Sequence, residues 1–140
     1  MNTLEEAKSE ADRRSRDGTQ WAVCLRGGEQ IIGNLFTFKE EPDTYNVGWH
    51  FNEKYEGKGY ASESAKAFFN DLFNSRDARR IYAYVEDNNH RSQKLCERLG
   101  MRRDACFKEN RSFISNPDGT PVFENTLAYA VLKKEWLDTV

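Results

Sequence analysis

The chemistry of this chain begins with Tyr55-Glu56-Gly57-Lys58-Gly59-Tyr60-Ala61-Ser62. Two glycines two positions apart stand between an extended apolar segment, Tyr45 to Phe51, and an amphipathic segment that runs to Phe73. Glycine lets the backbone turn tightly, and no side chain then blocks approach to its N–H groups. A helix that starts here presents unpaired N–H donors and the positive end of its dipole. A strand, a glycine turn and a helix in that order suit an anion, above all a phosphate or pyrophosphate. Gly57-Lys58-Gly59 alone is equally compatible with structural punctuation, because such dipeptides mark turns generally.

Two phosphate-binding patterns are excluded by spacing. A Walker loop needs GxxxxGK followed by Ser or Thr, which is absent. A dinucleotide fingerprint needs a third glycine where Ser62 stands, and the strands before the turn read as hairpins, not as a βαβ opening. His50 and His90 are the only histidines, and neither has neighbours that suit a metal, so no metal site is expected. Cys24, Cys96 and Cys106 have no CxxC spacing and read as reduced thiols of a cytoplasmic protein.

The elements that must position the turn are legible in hydrophobic pattern. Thr3-Leu4-Glu5-Glu6 has the form of a capping box opening a solvated helix to Asp17. Trp21–Leu25 and Gln30–Phe38 read as strands joined by a tight Arg26-Gly27-Gly28-Glu29 connection. Apolar residues on both faces of Gln30–Phe38 predict a sheet covered on both sides, and Gly33 marks a bulge or a close contact. Tyr45–Phe51 is the third strand. Ala61, Ala65, Phe68 and Leu72 make one apolar stripe of a helix from Tyr60 to about Phe73, widened by Phe69 and Phe73. Ile81–Val85 is a strand, and Asn88-Asn89 offers a cap to a helix Arg91–Leu99 that buries Ser92, Leu95, Cys96 and Leu99 before Gly100 stops it. Met101 to about Arg111 and Val122–Leu132 are strands separated by an Asn116-Pro117-Asp118-Gly119 turn, and Trp136 anchors the end. That order predicts one α/β (α+β) domain over residues 1–140 around a mixed sheet.

Composition fits. The chain has 140 residues, 38% hydrophobic and 31% charged, the profile of one globular domain. A net charge of -2 gives no broad cationic field, which argues against nucleic acid. No apolar run reaches membrane-spanning length, and Met1–Asp17 is polar rather than a targeting segment.

Lys54 to Ala61 resembles the acetyl-CoA pyrophosphate loop of the GNAT acyltransferases, and Val85-Glu86-Asp87-Asn88-Asn89-His90-Arg91-Ser92, continuing to Leu99-Gly100-Met101, resembles that family's second signature. The ending Tyr129–Trp136 is similar to the branch containing the ribosomal-protein N-terminal acetyltransferases. The resemblance implies a mostly antiparallel sheet with flanking helices, in which Tyr45–Phe51 and Ile81–Val85 splay apart around the pantetheine arm of acetyl-CoA. Backbone groups of Trp49, His50 and Phe51 would pair with pantetheine. The N–H groups of Glu56, Gly57, Lys58, Gly59 and Tyr60 would hold the pyrophosphate, and Asn89 would bond the cofactor amide or serve as a plain helix cap.

The implied activity is acetyl transfer from acetyl-CoA to a primary amine (a protein N-terminus, a polyamine or a small-molecule amine) by direct attack. The alternative is a catalytically idle acyl-CoA-binding module on the same fold. Ser92 matches a serine given the proton-donor role in that branch, and is otherwise a small packing residue. Glu109 and Glu86 are candidate bases. Cys96 occupies the place where many relatives carry a tyrosine donor, and reads as a core thiol. Relatives usually begin with a strand and helix that this sequence does not show. The sheet edge near Trp21–Leu25 or Gln30–Phe38 is then open, and a homodimer is expected.

Overall fold

The computed structural model describes residues 19–25 and 30–138. The helix expected over Thr3–Asp17 and the connection Arg26–Glu29 lie outside the described residues. The chain is mixed α+β, with strands β1 (Gln20–Cys24), β2 (Ile31–Glu40), β3 (Thr44–Phe51), β4 (Arg80–Glu86), β5 (Arg102–Ser115) and β6 (Pro121–Leu132). Its helices are α1 (Tyr60–Asn70), α2 (His90–Arg98) and α3 (Lys133–Asp138). The strand pairs β1–β2, β2–β3 and β5–β6 are antiparallel. None of the described helices is long and apolar enough to cross a membrane. The chain divides into two compact units, Met1–Ile81 and Tyr82–Val140.

In the first unit β1, β2 and β3 form a meander. Trp21 pairs with Leu35, and Leu35 with Trp49, so these side chains share one face. On α1, Ser64, Ala65, Phe68 and Phe69 are buried, and Trp21 meets the Phe68 ring edge-on at 4.9 Å. The regular helix stops at Asn70, a few residues before the position expected from the sequence, and a wider π turn over Asp71–Ser75 follows. That turn still buries Leu72 and Phe73, so the full apolar stripe reaches the core.

Both glycines of β2 and β3 make close contacts, and Gly33 also borders a register shift against β1, where Val23 pairs with Gly33 but Cys24 with Ile31. Gly33 lies opposite Phe51 and Gly48 opposite Phe36. A methyl group on Gly33 would stand 2.2 Å from the Phe51 ring, and one on Gly48 would stand 2.3 Å from the Phe36 ring. Each phenyl ring therefore lies across the strand on bare backbone.

In the second unit β6 lies between β4 and β5. Residues from Thr126 to Val131 of β6 are buried, while almost all of β5 is exposed. β5 runs four residues past the expected Arg111, and its register slips against β6 between Phe107 and Arg111 and again between Arg111 and Ile114. The extra residues bulge and curve the strand. The turn after it is the expected one: Asn116 N–H donates to Thr120 O at 2.7 Å, and Gly119 takes φ 89°.

Helix α2 ends in a Schellman closure. The Met101 N–H donates to Cys96 O at 3.0 Å, the Gly100 N–H donates to Glu97 O at 3.0 Å, and Gly100 adopts φ 75°. Leu95, Cys96 and Leu99 are buried as expected, but Ser92 is only half-buried. It sits in the first turn, where α2 has not yet come fully under cover.

Candidate active site

In the first unit the sequence from Trp49 to Ser62 folds as one continuous turn. Trp49 and Phe51 are half-buried at the end of β3, and His50 is exposed between them. Asn52 accepts the Lys54 N–H on its side-chain oxygen at 2.9 Å and starts a single 3-10 turn, Glu53–Tyr55. The Tyr55 hydroxyl donates to Gln30 Oε1 at 3.1 Å, which ties this turn to the residue before β2. The Glu56 N–H donates to Glu53 O at 3.0 Å, so it closes the 3-10 turn.

Beyond Glu56 the donors change character. Gly57 and Gly59 adopt φ 80° and 81°, the left-handed region in which a Cβ is unfavourable. Gly59 is the residue that precedes α1, and the first bond into the helix runs from the Glu63 N–H to Gly59 O at 3.0 Å. The N–H groups of Gly57, Lys58, Gly59, Tyr60, Ala61 and Ser62 have no protein acceptor among the described residues. Lys58 is exposed between the two glycines. A methyl group on Gly57 or Gly59 would meet nothing within 4 Å, so the turn opens outward. Ser64, one turn into the helix, returns its hydroxyl to Tyr60 O at 2.7 Å and packs tightly rather than facing the turn. Backbone donors, a helix N-terminus and a cation together suit a polyanion such as pyrophosphate.

The second unit carries Asn89, Ser92, Glu86 and Glu109. Asn89 caps α2, its side-chain oxygen accepting the Ser92 N–H at 3.2 Å. The cap leaves the Asn89 amide NH₂ without a protein acceptor among the described residues, so capping and ligand binding are compatible. The Glu86 carboxylate accepts from the Thr126 hydroxyl at 2.8 Å, and that hydroxyl accepts from the Asn110 amide at 3.0 Å. Glu109 stands on the β5 bulge with φ 45°, exposed, its N–H donating to Asn125 Oδ1 at 2.8 Å.

Cys96 is fully buried, and burial, helped by the charge of Glu97, pushes its thiol up to about 12. It is a core thiol, as its place on α2 suggests. Tyr84 of β4 packs edge-on against Tyr82 at 5.3 Å and Phe107 at 6.0 Å.

Sequence reasoning read Asn88 only as a cap candidate, a role that falls to Asn89, and passed over Gln93, Glu124, Asn125 and Thr126. Asn88 donates to Glu124 Oε1 at 2.7 Å, Asn125 donates to Asp87 Oδ2 at 3.0 Å, and Gln93 donates to the carbonyls of Glu86 and Asp87 at 3.3 and 2.9 Å. Glu124 is only 8% exposed. The signal was present: Glu124 and Thr126 are polar residues on one face of a strand that is otherwise apolar from Leu127 to Leu132. Buried polar side chains are there to be bonded.

The architecture and the turn define a class, and comparison with known proteins gives the family. The sequence profile of the acetyltransferase (GNAT) domain matches residues 2–102. The uncharacterized N-acetyltransferase YnaD of Bacillus subtilis (strain 168) is 33% identical over 136 residues, covering 96% of this chain and 76% of YnaD. Among solved structures, an acetyltransferase of the GNAT family from Bacillus anthracis superposes with TM-score 0.72 at 32% identity, covering 87% of this chain and 70% of that one. Mycobacterium smegmatis RimJ in complex with CoA-disulfide shares the fold, with TM-score 0.70 at 19% identity over 94% of this chain and 61% of that one.

The chain belongs to the GNAT acetyltransferase family. It is an acetyltransferase, of a family that uses acetyl-CoA as co-substrate, and the matches favour the enzyme over the idle binding module.

Proposed function

We propose that the chain transfers the acetyl group of acetyl-CoA to a primary amine by direct attack, with both reactants bound at once. The observation that carries this reading is the run of N–H groups from Gly57 to Ser62 that have no protein acceptor among the described residues, opened by two left-handed glycines. These donors and Lys58 hold the pyrophosphate, and the backbone of Trp49, His50 and Phe51 lies along the pantetheine. For the second unit we propose that the Asn89 amide bonds the cofactor and that Ser92 and Glu109 handle protons.

Acetyl-CoA supplies an activated thioester. The amine nitrogen must be neutral to attack its carbonyl carbon, so the proton it loses passes to the Glu109 carboxylate, directly or through water. As the new C–N bond forms, the C–S bond breaks, and the departing sulfur takes a proton through the Ser92 hydroxyl, which recovers one from solvent while Glu109 releases its own to solvent, so that no net proton is gained or lost. No covalent enzyme intermediate is needed, because holding the two reactants together supplies much of the rate. Glu109 is the better base of the two glutamates, since Glu86 already accepts from Thr126.

The acceptor is a protein N-terminus, a polyamine or a small-molecule amine. Initial rates with acetyl-CoA and one panel member of each class separate these, with free thiol and acetylated product both measured. Turnover with one class at least tenfold above the others assigns the acceptor; thiol release without acetylated amine contradicts the reading. We further propose a homodimer formed along the edge strand β1. Sedimentation equilibrium at micromolar concentration that returns only monomer would oppose it.

A further inference from the structure

We propose that Asn125 is a positioning residue for the proton-accepting carboxylate of Glu109. The inference rests on the reading of Glu109 as the base. It starts from a backbone oddity: Glu109 adopts φ 45°, a left-handed conformation that non-glycine residues visit rarely and that persists where surrounding structure imposes it. The imposing contact is Asn125, whose Oδ1 accepts the Glu109 N–H at 2.8 Å. The other end of the same amide is also fixed. Asn125 Nδ2 donates to Asp87 Oδ2 at 3.0 Å, and the Asn125 backbone carbonyl accepts the Asp87 N–H at 3.0 Å. Asp87 stands two residues before Asn89, and Gln93 of α2 clasps its carbonyl at 2.9 Å.

One amide therefore spans the β5 bulge that carries Glu109 and the turn that leads into α2. Only an amide does this with both atoms correctly used, because one end must accept from an N–H and the other must donate to a carboxylate. Neighbouring bonds brace the same junction. Asn88 is held by Glu124, and Thr126 links Asn110, the residue after Glu109, to Glu86. The extra residues of β5 between Phe107 and Arg111 follow from this arrangement, since the bulge is what turns the Glu109 N–H toward β6. An unbulged strand would have used that N–H or left it in solvent according to the ladder register.

Polarity makes the test. Asn125→Asp keeps the acceptor for Glu109 but sets a carboxylate against Asp87, where like charges repel or must share a proton. Asp87→Asn placed in the same chain restores the donor from the other side. The expected result is that Asn125→Asp lowers kcat at least tenfold, with the amine KM changed less than threefold and a cooperative melt retained. Asn125→Asp with Asp87→Asn should recover kcat to within about threefold of Asp87→Asn alone. Glu109→Gln is measured alongside. If Glu109→Gln is nearly inactive while Asn125→Asp turns over normally, the positioning role is overturned and the base reading stands. If Glu109→Gln retains full turnover, the base reading fails and the positioning role with it. Failure of the paired change to rescue a folded Asn125→Asp enzyme also overturns the proposal.

Discussion

Replacing Gly57 by alanine separates two things a glycine can do in a phosphate-binding turn. An added methyl group meets no protein atom within 4 Å, so no steric clash inside the chain contributes. What remains is the backbone: at φ 80° a non-glycine residue costs about 1–2 kcal/mol. In the free protein that cost appears as lost stability, or is relieved when the turn flips to negative φ. A flip would break up the run of N–H donors from Gly57 to Ser62, and CoA would have to restore it at the same cost. By the relation of about 1.4 kcal/mol per factor of ten, CoA affinity should fall ~5- to 30-fold. Gly57→Val should fall further, because its branched side chain tolerates positive φ least and projects where the ligand approaches. Asn visits the left-handed region more readily, so Gly57→Asn should lose least. Calorimetric titration of each variant with CoA, beside a thermal melt, reads both quantities. To the extent that the turn keeps its positive φ the same cost appears in the melt instead, which should drop by no more than ~3–8 °C for Gly57→Ala, given typical unfolding entropies for a chain of this size. Acetyl-pantetheine, which has no pyrophosphate, should bind all four proteins alike. Unchanged CoA affinity in Gly57→Val, with the fold intact, would refute the assignment of the turn.

Other expectations follow from the packing and the charges. Gly33→Ala and Gly48→Ala should each cost about 1–3 kcal/mol in denaturant titrations, because the methyl group displaces the Phe51 or Phe36 ring. Gly33 should be the worse, since the His50 carbonyl also stands 2.9 Å from the added carbon. Cys96→Ala should lose about 1–2 kcal/mol by leaving a small gap while retaining turnover, and a large loss of turnover at unchanged stability would point to a donor role instead. Thiol labelling of the folded protein should modify Cys106 and spare Cys24 and Cys96, which are buried. The Glu135 carboxyl is held below its usual range, first by its bond from the Arg102 guanidinium and then by the Leu132 N–H. A depressed folded value means that this stabilisation is full above the ordinary carboxylate pKa, near ~4.3, and is lost as pH falls through the lowered value. Glu135→Gln should therefore flatten that part of the acid-side fall in melting temperature.

Much of this was written in the sequence because local rules and tertiary demands coincide there. The stripe from Ala61 to Phe73 reads as a helix since its period matches the face that packs against Trp21, and Asn89 and Gly100 bracket α2 by capping chemistry that depends on nearest neighbours alone. The π turn after Asn70 was not legible, because Asp71 to Ser75 look like ordinary helix and bury Leu72 and Phe73 as a helix would, and the difference lies in backbone bonding such as the Arg76 N–H donating to Asp71 O at 3.2 Å. Gly33 could be recognised as special but not explained, and Gly48 drew no reading at all, since the reason in each case is a phenyl ring on the neighbouring strand. The candidate site divides the same way. The turn at Gly57–Gly59 announces itself by residue type, and only the structure shows that Glu56 spends its N–H on Glu53 and that free donors begin one residue later. The left-handed Glu109 and its anchor Asn125 lie sixteen residues apart, joined by a bulged register that no local pattern encodes.

The central claim is that acetyl passes directly from acetyl-CoA to an amine on this protein. A single-turnover experiment with enzyme in excess over labelled acetyl-CoA, followed by mass spectrometry of both protein and product, tests it most directly. Without amine the protein should keep its unmodified mass and the label should stay on CoA. With the accepted amine, acetylated product and free CoA should appear at the same rate and in equal amounts. Label on the protein before amine is added, or tight acetyl-CoA binding with no transfer to any primary amine, would contradict the account.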